Sequence, residues 1–146
     1  MKKFILVFLI FTIYLFGRKN IIENPGFEEI NPAQWKKVVW GGENIRFSYD
    51  EKGLENSNAV AIASEFGANA AWYTTVPVEP MTDYVLSGWI KTRKVKKNNG
   101  KGAMIVLDFD QQKATVITGS HDWTKVEQEF NSGNREQLNV YCLLGG

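Results

Sequence analysis

Tyr84-Val85-Leu86-Ser87-Gly88-Trp89-Ile90-Lys91-Thr92 is the stretch that decides the fold. Side chains alternate between faces along a strand. Tyr84, Leu86, Gly88 and Ile90 therefore read as inward, and Val85, Ser87, Trp89 and Lys91 as outward. Similar segments recur at short spacing on both sides. Upstream, Asn20 to Glu23 predicts a first strand, stopped by the turn signal Asn24-Pro25-Gly26. Trp35 to Trp40 and Asn44 to Tyr49 flank Gly41-Gly42 and predict a hairpin. Ala59 to Ser64 and Ala70 to Val78 follow, with Pro77 marking a sheet edge or the strand's end. Downstream, Arg93 to Gly102 is a polar, basic loop. Ala103 to Phe109 is expected to pair next, with Ile105, Leu107 and Phe109 on one face. Lys113 to Thr118 and Trp123 to Phe130 then follow, joined by Gly119-Ser120-His121-Asp122. In a last strand, Leu138, Val140, Cys142 and Leu144 share a face. No stretch shows sustained helical periodicity. The pattern predicts an all-β, antiparallel β-sandwich.

The N-terminus is different in kind. Met1-Lys2-Lys3 precedes an uncharged, mostly apolar run from Phe4 to Gly17. As a helix that run reaches about 21 Å at 1.5 Å per residue, short of a hydrocarbon core of roughly 30 Å. Residues 1–17 read as a secretory signal peptide, or as an N-terminal anchor if retained. The membrane is a partner only in the second case. Residues 18–146 form a single domain, expected to be secreted or on the cell surface. The lone Cys142 fits an exported chain.

Composition narrows the function. The chain has 146 residues, 17 Lys+Arg, 16 Asp+Glu, one His and one Cys. Without Lys2 and Lys3, the rest holds 15 basic and 16 acidic residues. Nucleic-acid binders need a marked basic excess, so none is expected here. One cysteine excludes an internal disulfide framework and a Cys-rich zinc site. No nucleophile elbow accompanies His121. Composition thus favours a binding or structural module over an enzyme.

A family likeness follows from ordered landmarks. Asn24-Pro25-Gly26-Phe27-Glu28 is followed by Trp35. Ala71-Trp72-Tyr73 with Val76-Pro77-Val78 comes next, then the stretch from Tyr84 to Thr92. Asp122-Trp123-Thr124-Lys125-Val126 runs on to Phe130. In this order they resemble the jelly-roll carbohydrate-binding modules of the galactose-binding-like superfamily, including the CenC type found beside bacterial glycosidases. The resemblance spans roughly Asn20 to Gly146. It implies a jelly roll that binds an extracellular polysaccharide or glycan and targets a larger secreted protein. It also implies a structural Ca2+ held in part by Glu28. Such modules usually finish with a further strand bearing an aromatic and Asp. The expectation is that residues 18–146 lack this strand and that a further domain lies downstream in the parent protein.

Sugar rings present apolar faces, and a flat aromatic side chain covers them at little entropic cost. Trp40, Trp72, Tyr73 and Trp89 are the candidate ligand contacts. Trp72 and Tyr73 are adjacent, so one must face away from the core. Asp108 is expected to hydrogen-bond sugar hydroxyls. Asp108 and Asp110 share a strand-end face, but that spacing is too common to argue catalysis. Lys91, Arg93, Lys94, Lys96, Lys97 and Lys101 read as a solvated basic loop. The alternative function is a structural or interaction sandwich that packs against a neighbouring enzyme or surface module and binds no glycan.

Overall fold

The computed structural model describes residues 19–29, 33–97 and 101–145, together with the backbone of residues 4–13. Among the described residues the strands are β1 (Phe4–Ile13), β2 (Lys36–Gly42), β3 (Arg46–Lys52), β4 (Asn58–Ala63), β5 (Ala68–Pro77), β6 (Asp83–Val95), β7 (Gly102–Leu107), β8 (Gly119–Asn131) and β9 (Gln137–Gly145). A five-stranded sheet has the order β3-β4-β1-β6-β8, and a four-stranded sheet the order β2-β5-β9-β7. Neighbouring strands pair antiparallel throughout. The molecule is an all-β sandwich, and its strand arrangement is compatible with a jelly roll.

The core lies between the sheets and follows the alternation read from the sequence. Tyr84, Leu86 and Ile90 of β6 meet Leu138, Val140, Cys142 and Leu144 of β9 in one buried cluster. Trp72 of β5 is 2% exposed. Its Nε1 donates across the sandwich to the Ala61 carbonyl at 3.3 Å. Phe47 packs edge-on against it at 5.6 Å and Tyr49 tilts against it at 6.0 Å. The Lys37 ammonium sits 4.9 Å from the Trp72 ring centroid. One side chain thus ties both sheets together.

The Asn24-Pro25-Gly26-Phe27-Glu28 segment closes one part of this core. Asn24 and Phe27 take positive φ of 47° and 54°, a conformation that a bulky residue such as Phe rarely adopts. Asn24 Oδ1 accepts from the backbone N–H of Glu28 and of Glu29. Its amide donates to the Tyr49 hydroxyl, and its carbonyl accepts from Trp35 Nε1. Phe27 is thereby fully buried, 4.8 Å from Trp35 and 6.0 Å from Tyr49.

Strand partners differ from expectation in several places. β2 and β3 do not form a hairpin; they belong to different sheets. Gly42 has φ +108°, and a Cβ there would meet the Gly67 carbonyl oxygen at 2.5 Å, so Gly42 serves a close approach to the β4–β5 corner. The segment after the basic loop pairs as β7 with β9, not with β6. Asn20 to Glu23 is irregular, and Lys113 to Thr118 contributes a single bridge, Ala103 to Ile117. That bridge, made by two main-chain hydrogen bonds, engages the outer edge of β7 at Ala103 alone. Gly119 to Asp122 belongs to β8. The pleat reports faces, and it does not report partners.

The apolar N-terminal run also takes a defined place in the whole chain. Backbone pairing puts Phe4–Ile13 between β4 and β6. A leader peptidase cutting beyond this run would remove the strand that joins those two.

Two outcomes follow for the core. Trp72→Ala should lower the unfolding free energy in urea by about 3–5 kcal/mol, the usual cost of emptying a large buried site. A loss below about 1 kcal/mol, the scale of a surface change, would contradict the bridging role. Burial pushes the Cys142 thiol well above the usual cysteine range. The native protein should therefore resist a disulfide reagent at pH 8, and the denatured protein should react at once.

Candidate binding face

The outer face of the four-stranded sheet is built in three rows, set by strand register. Lys36, Tyr73, Tyr141 and Val106 stand opposite one another across β2, β5, β9 and β7. Val38, Ala71, Leu143 and Met104 form the next row in one direction. Thr75 and Asn139 form the next in the other, with Asp108 just past the end of β7.

The middle row carries an aromatic strip. Tyr73 and Tyr141 stack with centroids 5.5 Å apart and planes 29° from parallel. Trp40 leans on Tyr141 at 5.7 Å and 52°. A bulge between Val39 and Gly41 shifts the register of β2 beside Trp40. Trp40 is 51% exposed. Beside the strip, Ala71, Met104, Val106 and Leu143 form an apolar cluster separate from the main core, with Val38, Ala114 and Tyr141 packed against it.

On the other side of the strip lies a polar network. Thr75 Oγ1 donates to Asn139 Oδ1 at 2.7 Å. Asn139 donates to Asp108 Oδ2 from its backbone N–H at 3.2 Å and from Nδ2 at 3.3 Å. The Asn139 side chain is therefore held from both ends, and it fixes Asp108 against the sheet. Desolvation, the Asp108 charge and Tyr73 together raise the Tyr141 phenol above its ordinary value, with a hydrogen bond from Asn139 acting the other way. At neutral pH Tyr141 is thus a hydroxyl able both to donate and to accept.

The sequence candidates separate on this geometry. Trp40, Tyr73 and Asp108 share the face. Trp72 does not reach it, because alternation sends its ring into the core once Tyr73 faces out. Trp89 is outward and half-buried, but on β6 of the opposite sheet. Tyr141, Asn139 and Thr75 were not singled out from the sequence. The signal was present: Leu138, Val140, Cys142 and Leu144 read as inward, so Asn139, Tyr141 and Leu143 had to be the outward set.

Glu28 is exposed in the Asn24 turn. A calcium shell wants six to eight oxygens. The turn supplies the Glu28 carboxylate, while the Asn24 and Phe27 carbonyls already accept from Trp35 and from Asn58 Nδ2 at 3.2 Å each. Among the described residues no group of three or more His, Cys, Asp or Glu is placed to hold a metal. Asp110, the second member of the sequence pair, is engaged by Lys113 at 2.9 Å. No helix of the described residues is long and apolar enough to cross a membrane. No family model matches the chain, and no curated protein matches it.

Tyr141 gives this face a titration. A phenol whose folded pKa is raised stabilises the fold at pH below the ordinary value of about 10, and that contribution is lost as pH rises through the folded value. Following tyrosinate absorbance at 295 nm, Asp108→Asn should bring one titration down toward the ordinary range, since it removes a negative neighbour. An unchanged profile would place Asp108 away from Tyr141.

Proposed function

We propose that this chain is a non-catalytic carbohydrate-binding module whose ligand lies on the outer face of the four-stranded sheet. The observation that carries the reading is the pairing of an aromatic strip with a polar row on one face of the four-stranded sheet, with Trp40 half exposed at its edge. A sandwich needs apolar side chains between its sheets, and the outward faces are ordinarily polar. Here the outward face has its own apolar cluster, three aromatic rings and a hydrogen-bonded carboxylate. That is the composition of a ligand site: flat apolar contact area with a few fixed polar groups.

Trp40, Tyr141 and Tyr73 take the apolar faces of sugar rings. Asp108 accepts hydrogen bonds from sugar hydroxyls, and Asn139 acts as a positioning residue behind it. The ordered landmarks shared with CenC-type modules support the same reading and suggest an extracellular polysaccharide as ligand. The basic start and apolar run of residues 1–17 support a secreted or cell-surface location. A targeting module of a larger secreted protein fits both. The second reading, a domain that packs a neighbouring protein against this same face, is favoured by the exposure of Trp40 on edge strand β2 beside the apolar cluster.

Retention in gels containing soluble β-glucan, xylan or mannan separates the two. Trp40→Ala should weaken binding to the retarding polysaccharide at least tenfold, about 1.4 kcal/mol. Its stability should stay within about 0.5 kcal/mol of the parent, as for a surface change. If no polysaccharide across a broad panel retards the folded protein, the glycan reading fails and the packing reading stands.

A further inference from the structure

β4 and β6 do not pair with each other; β1 lies between them. Residues Phe4 to Ile13 pair one by one with Arg93 to Tyr84, and Ile5, Leu6 and Val7 pair with Ile62, Ala61 and Val60. Strands in a sheet stand about 4.8 Å apart, so without β1 the flanking strands face each other across a gap of roughly 10 Å. Both lips would then present unpaired N–H and C=O groups. The walls of the gap are core: Val60, Ile62, Tyr84, Leu86 and Ile90 are all buried. A ladder opened on both sides next to such a core is a strong template for another strand.

The sequence of the present occupant describes what fits. Ile5, Val7, Leu9, Phe11 and Ile13 stand at register positions opposite Thr92, Ile90, Gly88, Leu86 and Tyr84, the inward set of β6. The occupant is apolar at all five of these positions, as the core side of a strand requires, and also at Phe4, Leu6, Phe8 and Ile10 between them, with Thr12 the one polar residue. The same ten residues are also the greater part of the apolar run of the leader-like segment. Export with cleavage would therefore take the strand away from a folded sandwich that needs one.

We propose that the place between β4 and β6 is a strand-acceptor site, held by Phe4–Ile13 in the whole chain. Once that segment leaves, the site receives an extended strand from a partner polypeptide with apolar residues at alternate positions. Recognition is β-augmentation with two edges instead of one. Main-chain hydrogen bonds to Tyr84–Arg93 and Val60–Ile62 supply the ladder, and alternation against the inward set of β6 supplies the selectivity. The site does not involve the aromatic strip, so it stands or falls separately from the glycan reading.

The test begins with the whole chain carrying a protease recognition sequence in place of residues 14–18, cut only after folding. Native mass spectrometry should find the N-terminal fragment still bound one to one, with melting that now depends on protein concentration. An isotope-labelled peptide with the sequence of residues 4–13 and a polylysine tail should exchange into the complex. A peptide carrying Leu9→Lys should compete at least tenfold less well, because its charge falls at a core register position. Three results would overturn the proposal. The first is a cut protein that keeps its melting temperature after losing the fragment. The second is a cut protein that unfolds and is not restored by excess peptide. The third is equal competition by the two peptides.

Discussion

The pleat allows two adjacent aromatic residues on one strand to have only opposite fates, and β5 carries such a pair in Trp72 and Tyr73. Trp72 goes inward, where its indole bridges to Ala61 of the other sheet and gathers Phe47, Tyr49 and Lys37 around it. Tyr73 must then go outward, where it stacks on Tyr141. Core and binding face are therefore fixed by the same step in the chain. A one-residue slip of β5 would exchange the two rings, open the centre of the sandwich and take the strip apart.

The two faces also share β9. Its inward set fills the core, while Asn139 and Tyr141 organise the outside. Because β9 lies between β5 and β7, it holds Tyr141 and Asn139 at the middle of the sheet, with Trp40 on edge strand β2 and Asp108 just past the end of β7. Side chains held on strands in this way have little freedom left to lose on contact with a partner, the preorganisation that the proposed glycan reading requires. The Asn24 turn serves the fold from the other direction. Its hydrogen bonds hold Phe27 in a backbone conformation that a phenylalanine avoids, and the burial of that ring offsets the cost.

What the sequence revealed was whatever depends on alternation alone. The inward set of β6, the shared face of Leu138 to Leu144 and the opposite fates of Trp72 and Tyr73 all follow from period two. Pairing partners were not legible, because Gly41-Gly42 and the basic loop can either fold a strand back or carry it to the other sheet. Both carry it across. The polar run from Gly119 to Asp122 looked like a turn, yet it extends β8, an edge strand that tolerates exposed polar residues. Trp89 was read as outward and is outward; alternation cannot tell which sheet a face belongs to. Tyr141 belongs to the outward set of β9, and its stacking partner Tyr73 depends on the β5–β9 pairing, which alternation does not specify.

The central claim is that one face of the four-stranded sheet meets the ligand while the core tryptophans stay out of reach. Indole Nε1–H resonances report each tryptophan separately. Following them by NMR while adding soluble gluco-, xylo- and manno-oligosaccharides tests the claim most directly. The account predicts that a binding sugar shifts the Trp40 resonance and leaves those of Trp35, Trp72, Trp89 and Trp123 nearly still. Binding that moves Trp89 and leaves Trp40 unchanged would put the ligand on the opposite sheet and contradict the account.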